Sequence, residues 1–177
     1  KPGYIFPDLF IRNILNDLLM EILYERWIDP DITFEESKKH NLDYYLNLVE
    51  EISQVIKYFK KKPHEIFFMD FGMGWAEWCK VAASLGCNVI GVELSNSRKQ
   101  NAKKHNIDVV NIDEIDNEML DFINTEQVFE HIPNPLEVLK KLSSLIKPGG
   151  LIKISVPDGY RLNELLKLND WSAPKGT

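Results

Sequence analysis

From Leu42 to Phe59 apolar side chains return every three or four residues, at Leu42, Tyr45, Leu46, Val49, Ile52, Val55, Ile56 and Phe59. That period gives a helix one apolar face. Lys57, Lys60, Lys61 and Lys62 crowd its last turns, where the negative end of the helix dipole favours cations, and Pro63 stops it. A second helical stretch, Leu9 to Trp27, is broken by Asp29-Pro30-Asp31. Residues 1–62 therefore read as a helical extension or cap, and residues 63–177 as the main domain.

After Pro63 the period changes. Short apolar runs, Ile66–Met69, Val89–Val92, Asp108–Val110, Leu120–Thr125 and Leu151–Val156, alternate with helix-length segments, Trp75–Leu85, Ser95–His105 and Pro135–Ile146. Such alternation is the pattern of βαβ units. Gly86 is the expected left-handed stop of the first of these helices, and Ser95 or Ser97 the cap of the second. Lys147-Pro148-Gly149-Gly150 reads as the turn before the fifth strand. The expected fold class is α/β: a mostly parallel sheet with helices on both faces, plus the N-terminal helical extension. About twenty residues follow the fifth strand, too few for a closing helix and further strands, so the domain is expected to be incomplete at its C-terminus.

Composition narrows the function classes. A chain of 177 residues with 44% apolar and 27% charged side chains fits one globular domain. With 21 basic and 27 acidic residues the net charge is -6, which argues against a nucleic-acid backbone as partner. Cys79 and Cys87 are too few for a disulfide scaffold and read as reduced, buried thiols. His40, His64, His105 and His131 lack ligand spacing, so no metal is expected. The most apolar early segment, Leu9 to Ile28, is interrupted by Arg12, Asp17, Glu21, Glu25 and Arg26, and no membrane span is expected. Nor is there a signal-peptide pattern, so the expected location is the cytoplasm.

The informative stretch is Met69-Asp70-Phe71-Gly72-Met73-Gly74-Trp75-Ala76-Glu77, where a strand hands over to a helix. Gly72 and Gly74 permit a tight turn and close approach of a ligand. A dinucleotide needs a third glycine where this chain has Glu77, and an anion in the first helical turn is a poor neighbour for pyrophosphate. A ligand that carries cationic groups and no phosphate, such as S-adenosylmethionine, meets no such objection, and Asp70 can serve its ammonium. Glu93, about twenty residues beyond the glycines, follows the second strand and can accept both hydroxyls of a ribose. The bland alternative is an acid that caps the next helix.

Four blocks now stand in order: Asp70-Phe71-Gly72-Met73-Gly74, Gly91-Val92-Glu93-Leu94-Ser95, Gln127-Val128-Phe129-Glu130-His131-Ile132-Pro133-Asn134-Pro135, and Leu145-Ile146-Lys147-Pro148-Gly149-Gly150-Leu151. Together they resemble the Rossmann-like class I S-adenosylmethionine-dependent methyltransferases, in the broad group that includes the ubiquinone and menaquinone enzymes. The resemblance spans roughly Ile66 to Pro157. It implies a transferase with S-adenosylmethionine as cofactor and S-adenosylhomocysteine as product. Asp70, Gly72 and Gly74 would hold the methionine end and Glu93 the ribose. Ile112 and Asp113 would flank the adenine, and Thr125 to Gln127 would face the methionine moiety and the acceptor. The chain departs from the family pattern at Ala76, which replaces a glycine, and at Gln127, where relatives often carry an acid.

Glu130-His131 could supply a general base, His131, or be framework at the start of a helix. Tyr44 and Tyr45 could reach over the cofactor or serve packing. The acidic run from Asp113 to Asp121 reads as a solvated loop with Asp113 alone near the ligand. The implied acceptor is a small molecule, with sugars and lipid-linked intermediates among the family's range. Two other readings stand beside this one: an NAD(P)-dependent oxidoreductase on a similar sheet, and a methyltransferase-like module that binds without catalysis.

Overall fold

The computed structural model describes residues 39–157. The stretch Leu9–Trp27 and the tail after Pro157 lie outside the described residues. Helix α1 runs from Leu42 to Phe59, capped by Asn41, whose side chain accepts the Tyr44 N–H at 3.0 Å, and closed by Lys60 in the left-handed conformation. Then come β1 (Phe67–Phe71), α2 (Glu77–Ser84), β2 (Asn88–Val92), α3 (Asn96–Lys104), β3 (Asp108–Val109), β4 (Leu120–Glu126), α4 (Pro135–Leu145) and β5 (Ile146–Ser155). Ser95 caps α3 and Gly86 takes φ +89° after α2, both as the sequence suggests.

All five strands are parallel, in the order β3-β2-β1-β4-β5. The chain steps outward from β1 to β3, then crosses back to β4. The reversal leaves a crevice at the carboxyl ends of β1 and β4, where ligands bind in open α/β sheets. Successive side chains of a strand alternate between the two faces. Phe68 and Phe122 therefore share one face with Ile52 of α1 and Trp78 of α2, while Met69 and Ile123 share the other with Leu142 and Leu145 of α4. Phe68, Phe122 and Trp78 form an aromatic trio with centroids 5.5 to 5.9 Å apart. Each such pair adds about 0.5–1.5 kcal/mol beyond its buried area.

Two expectations change. The Lys147–Gly150 segment lies within β5, not before it. Leu120 pairs with Ile146 but Phe122 with Leu151, and the surplus residues form a bulge around Gly149, at φ +82°. The apolar face of α1 is also only partly used: Ile52 is fully buried, while Leu42 and Leu46 are 71% and 53% exposed. The helix runs antiparallel to the sheet, with its last turns beside the start of β1 and its first turns over the crevice. Among the described residues no helix is long and apolar enough to cross a membrane, and no cluster of His, Cys, Asp and Glu is arranged to hold a metal.

Candidate functional site

A row of polar residues interrupts the apolar sheet at its carboxyl edge. In register, Asp70 of β1 pairs with Asn124 of β4, and Asn124 with Lys153 of β5. These positions share the face of Phe68 and Phe122, one step further along the strands. On β2 the same row holds Gly91, against which the Met73 side chain packs. Beyond the row, Glu126 and Ser155 pair at the strand ends, Ser155 Oγ donating to Glu126 Oε1 at 2.7 Å. The row floors a cavity of about 460 Å³, walled by the Gly72–Trp75 loop on one side and by His40, Tyr44, Leu48 and Glu51 of the α1 region on the other.

Asp70 is 3% exposed, and its described partners are neutral: Asn124 Nδ2 donates to Oδ1 at 2.9 Å and the Cys79 thiol to Oδ2 at 3.6 Å. Burial pushes the Asp70 carboxyl up to about 7, against the opposing pull of these two bonds and of the Lys153 charge. The same burial, with Asp70 alongside, pushes the Cys79 thiol well up. Asn124 is itself buried, and its Oδ1 has no hydrogen-bond partner among the described residues; the same holds for Thr125 Oγ1. A buried acceptor left unpaired costs about 1–3 kcal/mol, which a ligand donor relieves.

The glycine loop is held by its own neighbours. Gly72, Gly74 and Ala76 take φ +76°, +54° and +61°, so every second residue is left-handed. At Gly72 a Cβ would also meet Val128 Cγ2 at 2.5 Å. Ala76 adopts a conformation that costs a residue with a Cβ roughly 1–2 kcal/mol, so its departure from glycine is tolerated and not free. The Gly72 and Met73 N–H groups donate to Val92 O at 2.8 and 3.2 Å, Gly74 N–H to Glu93 Oε2 at 2.9 Å, and Ala76 N–H to Met73 O at 2.9 Å. Pyrophosphate recognition at such a turn needs those N–H groups for the ligand. Here they are engaged internally.

Glu93 does more than its sequence position suggests. It is 8% exposed; Oε2 takes the Gly74 N–H, and Oε1 takes the Leu94 and Ser95 N–H groups at 2.8 and 2.9 Å. One carboxylate thus ties the glycine loop to the end of β2. Three further acids surround the cavity. Glu77 receives Tyr45 Oη at 3.1 Å and Lys80 Nζ at 2.6 Å. Glu51 receives Trp78 Nε1 at 3.0 Å and Lys153 Nζ at 2.8 Å, and Lys153 also meets Glu126 at 2.8 Å. Burial pushes the Tyr44 phenol up to about 12, reinforced by the charges of Glu77, Tyr45, Asp70 and Glu126. For Lys153 burial acts to lower the pKa, but the bonds to Glu126 and Glu51 outweigh it and hold the ammonium above its ordinary value.

The structure gathers Asp70, Gly72 and Gly74 at the cavity and sets Glu93 directly behind the loop. Of the other sequence candidates, Tyr44 and Glu126 line the cavity, while Ile112, Asp113, Gln127 and His131 stand apart from its lining. Ile112 packs against the core under α4, and Asp113 is largely exposed and faces Lys141 at 3.4 Å. Gln127 takes φ +53° and donates its N–H to Ser155 O at 2.9 Å. His131 has a half-exposed side chain 3.9 Å from Glu130.

The profile of a family described as methyltransferase domain matches residues 40–177. The chain belongs to that family. Its fold is that of the class I S-adenosylmethionine-dependent enzymes, as three solved structures show. The chain is 20% identical to an S-adenosylmethionine-dependent methyltransferase from Archaeoglobus fulgidus, over 82% of this chain and 68% of that one, with a TM-score of 0.59. It is 18% identical to the plantazolicin methyltransferase BpumL, solved with S-adenosylhomocysteine, over 89% and 65%, with a TM-score of 0.62. An S-adenosylmethionine-dependent methyltransferase from Thermotoga maritima gives 18% identity over 85% and 69%, with a TM-score of 0.57. This methyltransferase domain thus spans about two thirds of the length of those structures. No curated protein sequence matches the chain.

Glu126 lines the cavity, within the Thr125–Gln127 stretch the sequence singled out, but Glu51, Asn124 and Lys153 escaped the sequence reading. Each belongs to an element that reads well by itself. What brings Asn124 and Lys153 to Asp70 is pairing between β1, β4 and β5, and what brings Glu51 is the packing of α1 over the sheet, neither of which the sequence spells out. A signal existed in Asn124 and Lys153, polar residues inside otherwise apolar runs.

Proposed function

We propose that this methyltransferase domain binds S-adenosylmethionine at the carboxyl edge of β1 and β4 and transfers its methyl group to a small-molecule acceptor. One observation carries the reading. A buried carboxyl hydrogen-bonded only to neutral groups among the described residues, Asp70, which feels the Lys153 ammonium without contact, faces a cavity beside a glycine loop whose Gly72, Met73 and Gly74 N–H groups are engaged within the chain. That combination suits a ligand bringing an ammonium and no phosphate. Asn124 Oδ1, which has no donor among the described residues, fits the same group, since it offers an acceptor to an incoming N–H.

When bound, the cofactor supplies a methyl carbon made electrophilic by its sulfonium. The chain's residues do the rest. Asp70 and Asn124 would hold the amino group, with the Gly72–Gly74 turn leaving room for the backbone's close approach. Glu93 would take the ribose with the lone pairs its three backbone donors leave, and Ile112 and Asp113 would border the adenine. Gln127 would sit at the mouth of β4. We assign no proton transfer to His131, whose half-exposed ring lies outside the cavity lining. The first turns of α1 would cover the acceptor and exclude water. Holding two reactants in line lowers a barrier by roughly 7–11 kcal/mol, so alignment alone is a sufficient catalytic role.

A thermal-shift comparison tests this reading. Ligand at 100 times its dissociation constant stabilises a fold by about 2.7 kcal/mol. S-adenosylhomocysteine is expected to raise the melting temperature and NADH to leave it unchanged. The reverse pattern would point to the oxidoreductase. Cofactor binding without turnover over a broad acceptor panel would point to the binding module.

A further inference from the structure

The cavity has two ends, and under the reading above only one belongs to the cofactor. Asp70, Asn124 and the glycine loop form that end. The other lies under the first turns of α1, between Glu51, Glu126 and Lys153, with Tyr44 and His40 stacked beside them at a centroid distance of 3.8 Å and an interplanar angle of 11°. The charge at this second end does not balance. Glu77, between the two, is met by Lys80. Glu51 and Glu126 share one cation, Lys153, which contacts both at 2.8 Å. Among the described residues one negative charge is left over, partly withdrawn from water: the Glu51 and Glu126 side chains are 33% and 51% exposed.

Titrations in and around the cavity are displaced as well, and that of Lys153 reports directly on the Glu51–Glu126 pair. Tyr44, Tyr45 and Lys153 all hold their protons more firmly than usual. For the two phenols burial is the first cause and Glu77 the next. For Lys153 burial works the other way, and the two carboxylates overcome it.

We propose that this second end is the acceptor subsite and that the acceptor it takes carries a cationic amine, anchored by the Glu51–Glu126 pair and the Tyr44 ring. The inference rests on the proposed methyltransferase function and deepens it. Carboxylates and an aromatic ring together recognise an ammonium, with a cation over a ring contributing most where water is excluded. Lys153 does not invite an anion in its place. Its ammonium is already shared between two carboxylates, so an incoming carboxylate or phosphate would meet a site of its own sign. Nor does Trp78 compete, because its Nε1–H is spent on Glu51. The cation is a handle that fixes the acceptor, and the methyl can go to another of its atoms.

The test uses the full chain saturated with S-adenosylhomocysteine and three probes of one shape. These are choline, its uncharged tert-butyl isostere, and the matching carboxylate, tert-butylacetate. Binding is read by calorimetry. Choline is expected to bind about fivefold more tightly than the neutral isostere, with the carboxylate weakest. In Glu126→Gln, a change at a half-exposed site that keeps its hydrogen-bonding shape, the preference should fall to about twofold or less, with S-adenosylhomocysteine affinity retained. Tyr44→Leu should lower choline binding in the same way. Equal or better binding of the neutral probe or the carboxylate overturns the proposal, as does absence of all probe binding to the loaded protein. So does a preference that survives in both variants. Failure of S-adenosylhomocysteine itself to bind would instead strike the cofactor reading on which the subsite depends.

Discussion

Asp70 and Asp121 expose equally little surface, 3% and 2%, on two strands that pair with each other, but Asp70 lies deeper in the sheet, and the two titrate in opposite directions. Asp121 sits at the start of β4. It takes Lys61 Nζ at 2.6 Å, Lys147 Nζ at 2.8 Å and the Phe67 N–H at 3.0 Å. Burial would raise its pKa, but those bonds outweigh it and hold the carboxyl below its ordinary value. Asp70 sits near the end of β1 with an amide and a thiol, and burial wins. The difference separates two uses of a buried acid. At the amino edge of the sheet the Asp121 charge is answered within the chain, and the cluster pins the end of α1, the start of β1 and the start of β5 to β4. At the carboxyl edge the charge is left for something that arrives from outside.

One large expected effect breaks the compensated edge. Asp121→Ala leaves two lysines and a backbone N–H without their shared acceptor. Breaking a buried pair costs 3–5 kcal/mol, and because both lysines are partly exposed we expect about 2–3 kcal/mol, read by urea unfolding. Cofactor affinity of the folded fraction should change little.

Next, Asp70→Asn should stabilise the ligand-free protein at pH 8. The sign follows from linkage. The folded carboxyl titrates at about 7 and the unfolded one near 4, so its contribution is fully present below pH 4 and lost as pH rises through 7. Each unit of displacement is about 1.4 kcal/mol, so removal of the charge should return about 2–4 kcal/mol at pH 8 and nearly nothing at pH 4. Asp121 runs the other way: its contribution is present above the ordinary carboxylate range and lost as pH falls through its lowered value. Unfolding of the wild type and both variants from pH 8 down to well below pH 4 would expose the two slopes. Equal slopes would remove the contrast.

Smaller effects fall on the loop. Glu93→Ala removes the acceptor of the Gly74, Leu94 and Ser95 N–H groups and should weaken S-adenosylhomocysteine binding by about 1–3 kcal/mol, measured by calorimetry. Gly74→Ala is milder. A Cβ there meets nothing within 4 Å, so the cost is the left-handed backbone alone, about 1–2 kcal/mol in thermal unfolding.

The fold was legible because its signals are local. Helix and strand periods, the cap at Ser95 and the stop at Gly86 each need only a few consecutive residues. The bulge in β5 was not, because Pro148 and the two glycines look like a turn until pairing with β4 draws them into a strand. In the site, Asp70, Gly72, Gly74 and Glu93 were readable from one strand–turn–helix unit and the strand after it. Asn124 and Lys153 were not, since they meet Asp70 only through strand register. Glu51 was hidden within an amphipathic helix whose polar face says nothing about which acid points to the cavity.

The most direct measurement is a calorimetric titration of S-adenosylhomocysteine into the wild type and into Asp70→Asn at pH 8. The expected result is saturable one-to-one binding by the wild type and at least tenfold weaker binding by the variant, even though the variant is the more stable protein. No heat from the folded wild type, or equal affinities in the two proteins, would contradict the assignment of Asp70 to a cationic ligand.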